Sequence, residues 1–271
     1  MALISCSDDT QSSNSPNEPQ RDFRYPYSLN SFWYYTTYNF VANYRPDSIR
    51  NIIAPDTIVG YGSALFSSDT VIAQDTFRIL RNTHSSEGHT HTTIELYKQH
   101  DTGLIRHAFY SSGTNFGPFR SSSDLKYSFN GKQYFSITDL KHELRQPDFH
   151  GDTSLTFDDP PVLALKYPVY EGSEWLYLDY GATKITKKYS GYEEVASNGR
   201  SYFCAKVKRN WYINNSTTPD PNLQFVDYFA KEGMVKRDFV ISNVLVSNSL
   251  GEPLGYIDVW EHAFLNLYTV P

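Results

Sequence analysis

Apolar and polar residues alternate in short stretches along this chain, the period of a strand with one face buried. Thr76–Arg81 and Thr92–Tyr97 flank Ser85-Ser86-Glu87-Gly88, which predicts a hairpin. Leu125–Phe129 and Lys132–Ile137 flank Asn130-Gly131, a pair suited to a type I′ turn because both central residues need positive φ. Lys187–Val195 and Ser201–Val207 flank a second such pair, Asn198-Gly199. The tail, Gly255–Trp260 and Phe264–Tyr268, supplies further strand-like material, while only Ser136–Arg145 and Phe225–Lys231 offer short helices. The pattern predicts an all-β, mainly antiparallel fold with little helix.

The chain also repeats itself. Tyr25-Pro26-x4-Ser31-x-Trp33-x-Tyr35-x2-Tyr38 returns as Tyr167-Pro168-x4-Ser173-x-Trp175-x-Tyr177-x2-Tyr180. Later in each half, Gly103-Leu104-Ile105-Arg106-x2-Phe109 answers Gly233-Met234-Val235-Lys236-x2-Phe239. The unequal offsets place an insertion in the first half, at Arg45–Thr70, which is rich in Asp, Ser, Pro and Gly. Repetition of this kind implies two copies of one unit. The expectation is two tandem, homologous β domains with curved sheets or half-barrels, at 21–150 and 160–271, with Trp33 and Trp175 equivalent in their cores. Arg145–Pro161 reads as the connection, and Asp158-Asp159-Pro160-Pro161 as a turn.

Composition narrows the function classes. Tyr and Phe number 22 and 17, and aromatic residues make up 16% of the chain. A formal net charge of −6 leaves no basic footprint for nucleic acid. No run of 18 apolar residues exists that could span a bilayer as a helix. Residues 7–20 (SDDTQSSNSPNEPQ) hold no large apolar side chain and read as a disordered tether. Leu3-Ile4-Ser5-Cys6 ahead of it resembles a bacterial lipobox, and Ser7-Asp8-Asp9 resembles the acidic export tag of surface lipoproteins in Bacteroidota. With no basic or full apolar region before Cys6, the start reads as the truncated end of a signal peptide. The resemblance implies acylation of Cys6, attachment to the outer membrane and display at the cell exterior. Residues 1–20 are then lipobox and tether.

A second resemblance lies in the other half. Tyr228-Phe229-Ala230-Lys231-x-Gly233-Met234-Val235-Lys236-Arg237, downstream of Tyr167-Pro168-x3-Gly172-x2-Trp175-x-Tyr177, is similar to uncharacterised secreted bacterial β domains. Those domains carry a Tyr-Tyr-Ala…Gly-Leu-Val-Lys signature, from which Phe229 and Met234 depart. The resemblance implies fold and export, with no activity to carry over.

Chemistry is thin. His84, His89 and His91 surround one hairpin loop and are candidate metal ligands, but a zinc site needs three or four placed ligands. No hydrolase, phosphate-loop or metalloprotease motif occurs, so no catalytic residue and no cofactor is nominated. Cys204, without a disulfide partner if Cys6 is acylated, reads as a buried structural thiol. Ser48, Thr57 and Thr70 each follow Asp and precede an aliphatic residue, resembling the O-glycosylation acceptor of Bacteroidota. Trp33, Tyr34, Tyr35 and Tyr38 place aromatics on both faces of one strand, one face for core and the other for a partner or ligand. The functional expectation is a non-catalytic surface lipoprotein serving as an accessory or binding subunit of an outer-membrane protein complex. Its rivals are a lipid- or glycan-binding lipoprotein and a hydrolase with an unrecognised site.

Overall fold

β-branched and aromatic side chains, which pack well on a pleated surface, build fourteen strands among the described residues. The computed structural model describes residues 23–53, 57–86, 89–111, 125–145 and 154–271. A first meander comprises β1 (Phe32–Arg45), β2 (Thr57–Ile72), β3 (Asp75–Ser86), β4 (His89–His100) and β5 (Gly103–Ser111). A small hairpin, β6 (Lys126–Phe129) and β7 (Lys132–Tyr134), and helix α1 (Ile137–Arg145) follow. β8 (Thr156–Lys166) then pairs with β5. A second meander comprises β9 (Glu174–Asp179), β10 (Lys184–Ser197), β11 (Arg200–Tyr212), β12 (Leu223–Ala230), β13 (Gly233–Ser247) and β14 (Pro253–Thr269).

β1 pairs with β14 from Phe32↔Thr269 to Arg45↔Tyr256, so the two meanders share one sheet. Its order is β8-β5-β4-β3-β2-β1-β14-β13-β12-β11-β10-β9, curled into a nearly closed barrel whose seam lies between β8 and β9. The all-β, antiparallel expectation holds. The two meanders lie around one interior, and β8 pairs with β5 of the first.

Inward side chains form two apolar layers. One contains Trp33, Tyr35, Phe66, Trp175, Tyr189 and Leu265. Phe23–Ser31 runs across this end: Tyr25 is buried among Trp33, Phe66 and Phe229, and Tyr27 OH donates to Tyr97 O at 2.6 Å. The other layer holds Trp211, Phe225, Phe239 and Ile257 with Tyr127, Phe129 and Leu140 from the β6–β7–α1 segment. Ser136 caps α1, its hydroxyl accepting from Asp139 N at 3.0 Å.

Three local expectations need correction. Phe225–Lys231 is not helix: Phe225–Ala230 lies in β12 and Lys231 in the turn after it, and Leu223, Phe225 and Asp227 alternate inward on a strand paired with both β11 and β13. Arg45–Thr70 is not an inserted loop: after a turn of 3₁₀ helix at Asp47–Asn51 it becomes β2, paired with both β1 and β3. Asp158-Asp159-Pro160-Pro161 lies within β8, and Asp158 turns inward to Arg106.

Candidate functional site

Of the residues singled out by sequence, Cys6, Ser7, Asp8 and Asp9 lie outside the described residues. His84 and His91 face each other across β3 and β4, and His84 Nε2 lies 3.4 Å from Thr37 Oγ1. Burial holds the His91 imidazole below the usual histidine range. The His89 side chain is outside the described residues, among which no three His, Cys, Asp or Glu side chains gather as metal ligands. Ser48 is exposed in the 3₁₀ turn, Thr57 is exposed at the start of β2, and Thr70 is half-buried near its end. Cys204 is fully buried on β11, and burial pushes its thiol up to about 12.

β1 divides its aromatics by alternation: Trp33 and Tyr35 point inward and are buried, while Tyr34 and Tyr38 point outward. The inward pair leads to a belt of ionisable groups at the barrel's waist, between the apolar layers. Asp227 on β12 accepts from Arg237 Nε at 2.6 Å and from Arg209 Nη2 at 3.3 Å. Burial pushes the Asp227 carboxyl up, but the two guanidiniums outweigh it and hold the group below the usual range. Lys187 on β10 is wholly withdrawn, and burial beside Arg209 pushes its amine well below the usual lysine range. Across the interior, Arg106 binds Asp158 through two bonds of 2.9 Å and lies 3.7 Å from Glu95. Such a belt fixes register and packing, since a buried charge is tolerated only when paired.

The outward pair leads to a different surface. Register sets Thr36 between Tyr61 and Phe264, Tyr38 between Val59 and His262, and Phe40 between Thr57 and Trp260. The result is a patch of rings on β2, β1 and β14, outside the barrel at the joint of its halves. Tyr34 and Tyr61 lie 6.0 Å apart with planes 10° from parallel, and Phe40 stacks on Trp260 at 5.7 Å. Tyr38 meets Phe264 edge-on at 6.2 Å, and His262 links Phe40 to Phe264. Tyr38, Tyr61 and Leu267 are 41%, 49% and 58% exposed. One border is polar: His262 Nδ1 lies 2.6 Å from Asp238, which also meets Lys236 at 2.8 Å. Burial pushes Asp238 up, but these two partners hold it below the usual carboxylate range.

No protein-family model matches this chain, and no curated protein matches it. Its structure is similar to that of a Bacteroides fragilis protein described, by inference, as exported and as having a YmcC-like fold. That likeness has 10% identity and a TM-score of 0.34 over 91% of this chain and 99% of the other. It is similar as well to an inferred lipoprotein of Parabacteroides distasonis, at 9% identity and a TM-score of 0.32 over 91% and 98% of the two chains. Likenesses this weak say nothing of role.

A cleft of about 280 Å³ beside Tyr27 and Gln99 is lined by cations already committed to carboxylates. Arg78 binds Asp69 through two hydrogen bonds, and Lys98 meets Asp75 at 2.6 Å. The outer patch is the better candidate. Sequence reasoning named Tyr34 and Tyr38 and missed Phe40, Tyr61, Trp260, His262 and Phe264. Their period-two spacing was visible, but only the pairing of β1 with β14, at opposite ends of the chain, shows that they share a surface.

Proposed function

We propose that this chain is a lipid-anchored protein of the bacterial cell envelope that acts by binding, as an accessory subunit of an outer-membrane protein complex. Cys6 is the anchor, Ser7-Asp8-Asp9 the signal for outward display, and the aromatic patch over β2, β1 and β14 the docking face. The exposed continuity of that patch carries the reading. Contiguous exposed apolar surface marks interaction sites. Tyrosine and tryptophan supply much of the energy of protein interfaces, and the polar border at Asp238 and His262 suits an interface rim.

The test is a double substitution, Tyr38→Glu with Tyr61→Glu, in the full chain in its own membrane. Loss of one buried aromatic anchor costs an interface roughly 2 kcal/mol or more, about thirtyfold in affinity. The double variant is expected to lose its co-purifying protein while its unfolding midpoint stays near that of the wild type. Retention of the same partner at the same yield contradicts the reading. One observation favours a second reading, a glycan in place of the protein. The near-parallel rings of Tyr34 and Tyr61 offer flat faces on which a sugar can stack. A carbohydrate co-purifying with wild type and lost from the double variant, with no protein partner, selects it.

A further inference from the structure

Along the sheet, every neighbouring pair is joined by a backbone ladder, whereas among the described residues none joins β8 to β9. Three side chains cross that seam instead. Trp175 Nε1 donates to Leu163 O at 2.9 Å, Lys187 Nζ to Ala164 O at 2.9 Å, and Tyr189 OH to Lys166 O at 2.7 Å. All three donor residues are buried. Lower on β8, Pro160 and Pro161 have no N–H with which to extend pairing toward β9.

Lys187 is a seam residue and a member of the charged belt at once. Its surroundings are the ring face of Tyr177 on β9, 3.8 Å from the amine, Arg209 on β11, Asp227 on β12, Arg237 on β13, and Arg106 on β5, and of these only Asp227 is an anion. Arg106 carries Asp158 of β8 and Glu95 of β4 with it. The three guanidiniums therefore face three carboxylates, a balanced set as long as the Lys187 amine is neutral. A proton on Lys187 adds a fourth cation without a counter-charge, and burying an unpaired charge is costly. Water supplies the relief, and the seam that the amine itself helps to hold can admit it without breaking a backbone ladder.

We propose that the β8–β9 seam is a lateral latch that opens when Lys187 takes up a proton, admitting water to the belt from the side while both ends of the barrel stay covered. The coupling is one proton per opening event, so the opening equilibrium rises about tenfold for each unit of falling pH until Lys187 is protonated in the closed form too. The Tyr25 and β6–β7–α1 coverings bear no part of it.

Hydroxyl-radical footprinting of the full chain over a pH series reads this directly. Oxidation of Trp175 and Tyr189 is expected to climb about tenfold per pH unit on acidification, while Trp33 and Tyr35 at the β1–β14 joint stay protected. Lys187→Met is expected to abolish the rise, and Lys187→Arg, permanently charged, to show the open pattern at every pH. Trp175→Phe, which removes one crossing bond, is expected to shift the onset to higher pH, and it serves if either lysine variant fails to fold. The proposal is overturned if Lys187→Met keeps the wild-type pH dependence, or if Trp175 and Tyr189 stay as protected as Trp33 throughout, or if Trp175→Phe leaves the onset unmoved.

Discussion

At the scale of single residues, the repeated motif places its two tryptophans in matching positions, each second in the first strand of its meander. Trp33 Nε1 donates to Glu232 O at 2.5 Å in the β12–β13 turn, while Trp175 Nε1 reaches Leu163 O on β8. Each thus stitches its own half to the other. Gly233, next to that β12–β13 acceptor, has φ +116, and a Cβ there would run into the Trp33 indole. Gly233→Ala is therefore expected to destabilise by roughly 2–3 kcal/mol through strain and clash, and Trp33→Ala by about 3–5 kcal/mol through lost packing. Urea unfolding measures both, and a Gly233→Ala protein as stable as wild type would sink this account of the joint. Lys187 has a signature of its own. Its folded-state pKa lies below the unfolded value, so the folded chain binds fewer protons between the two, and stability rises with pH across that window. The stability gained by Lys187→Met over wild type should accordingly widen as pH falls, then level off below the folded pKa. A gap that is constant with pH would show that Lys187 is not held neutral.

At the scale of elements, what could be read from sequence was local. Asn130-Gly131 and Asn198-Gly199 announce hairpins, and all four residues adopt positive φ in the structure. Ser136 announces α1 because its hydroxyl accepts an orphan N–H at the helix start. Phe225–Lys231 misled because Phe225, Val226, Tyr228 and Phe229 are apolar on both faces, and a short apolar run does not distinguish a buried strand from a helix. β2 was obscured by Gly60, Gly62 and Ser-rich positions that look like loop. Gly62 instead sits opposite Tyr35 and His84 in the ladders, an ordinary strand position where an added Cβ would come no nearer than 3.8 Å to any neighbour. The seam could not be read at all. Its three bonds end on backbone carbonyls, which every residue carries, so no side-chain pattern foretells them.

At the scale of the whole molecule, repetition suggested two halves but not how they join: β1 pairs with β14 to make one sheet, and curvature accumulated over a dozen strands brings its ends, β8 and β9, together. The closure at the seam encloses the interior, and the pairing of β1 with β14 creates the outer aromatic patch. The tether is a separable part of the account. Cys6→Ala should move the protein from membrane to soluble fraction, and replacing Asp8 and Asp9 with Ala should leave it membrane-bound but hidden from protease added to intact cells. Unchanged fractionation with an unmodified N-terminal peptide would remove the anchor and leave the barrel's docking face to be judged alone. The measurement that judges it most directly is photo-crosslinking in intact cells from single positions on the barrel. A photoreactive side chain at Tyr61 or Tyr38 should yield one discrete adduct with another envelope protein, while one at Leu176, equally exposed on β9, should yield none. Adducts that are absent at Tyr61 and Tyr38, or no stronger there than at Leu176, would contradict the docking face and with it the proposed role.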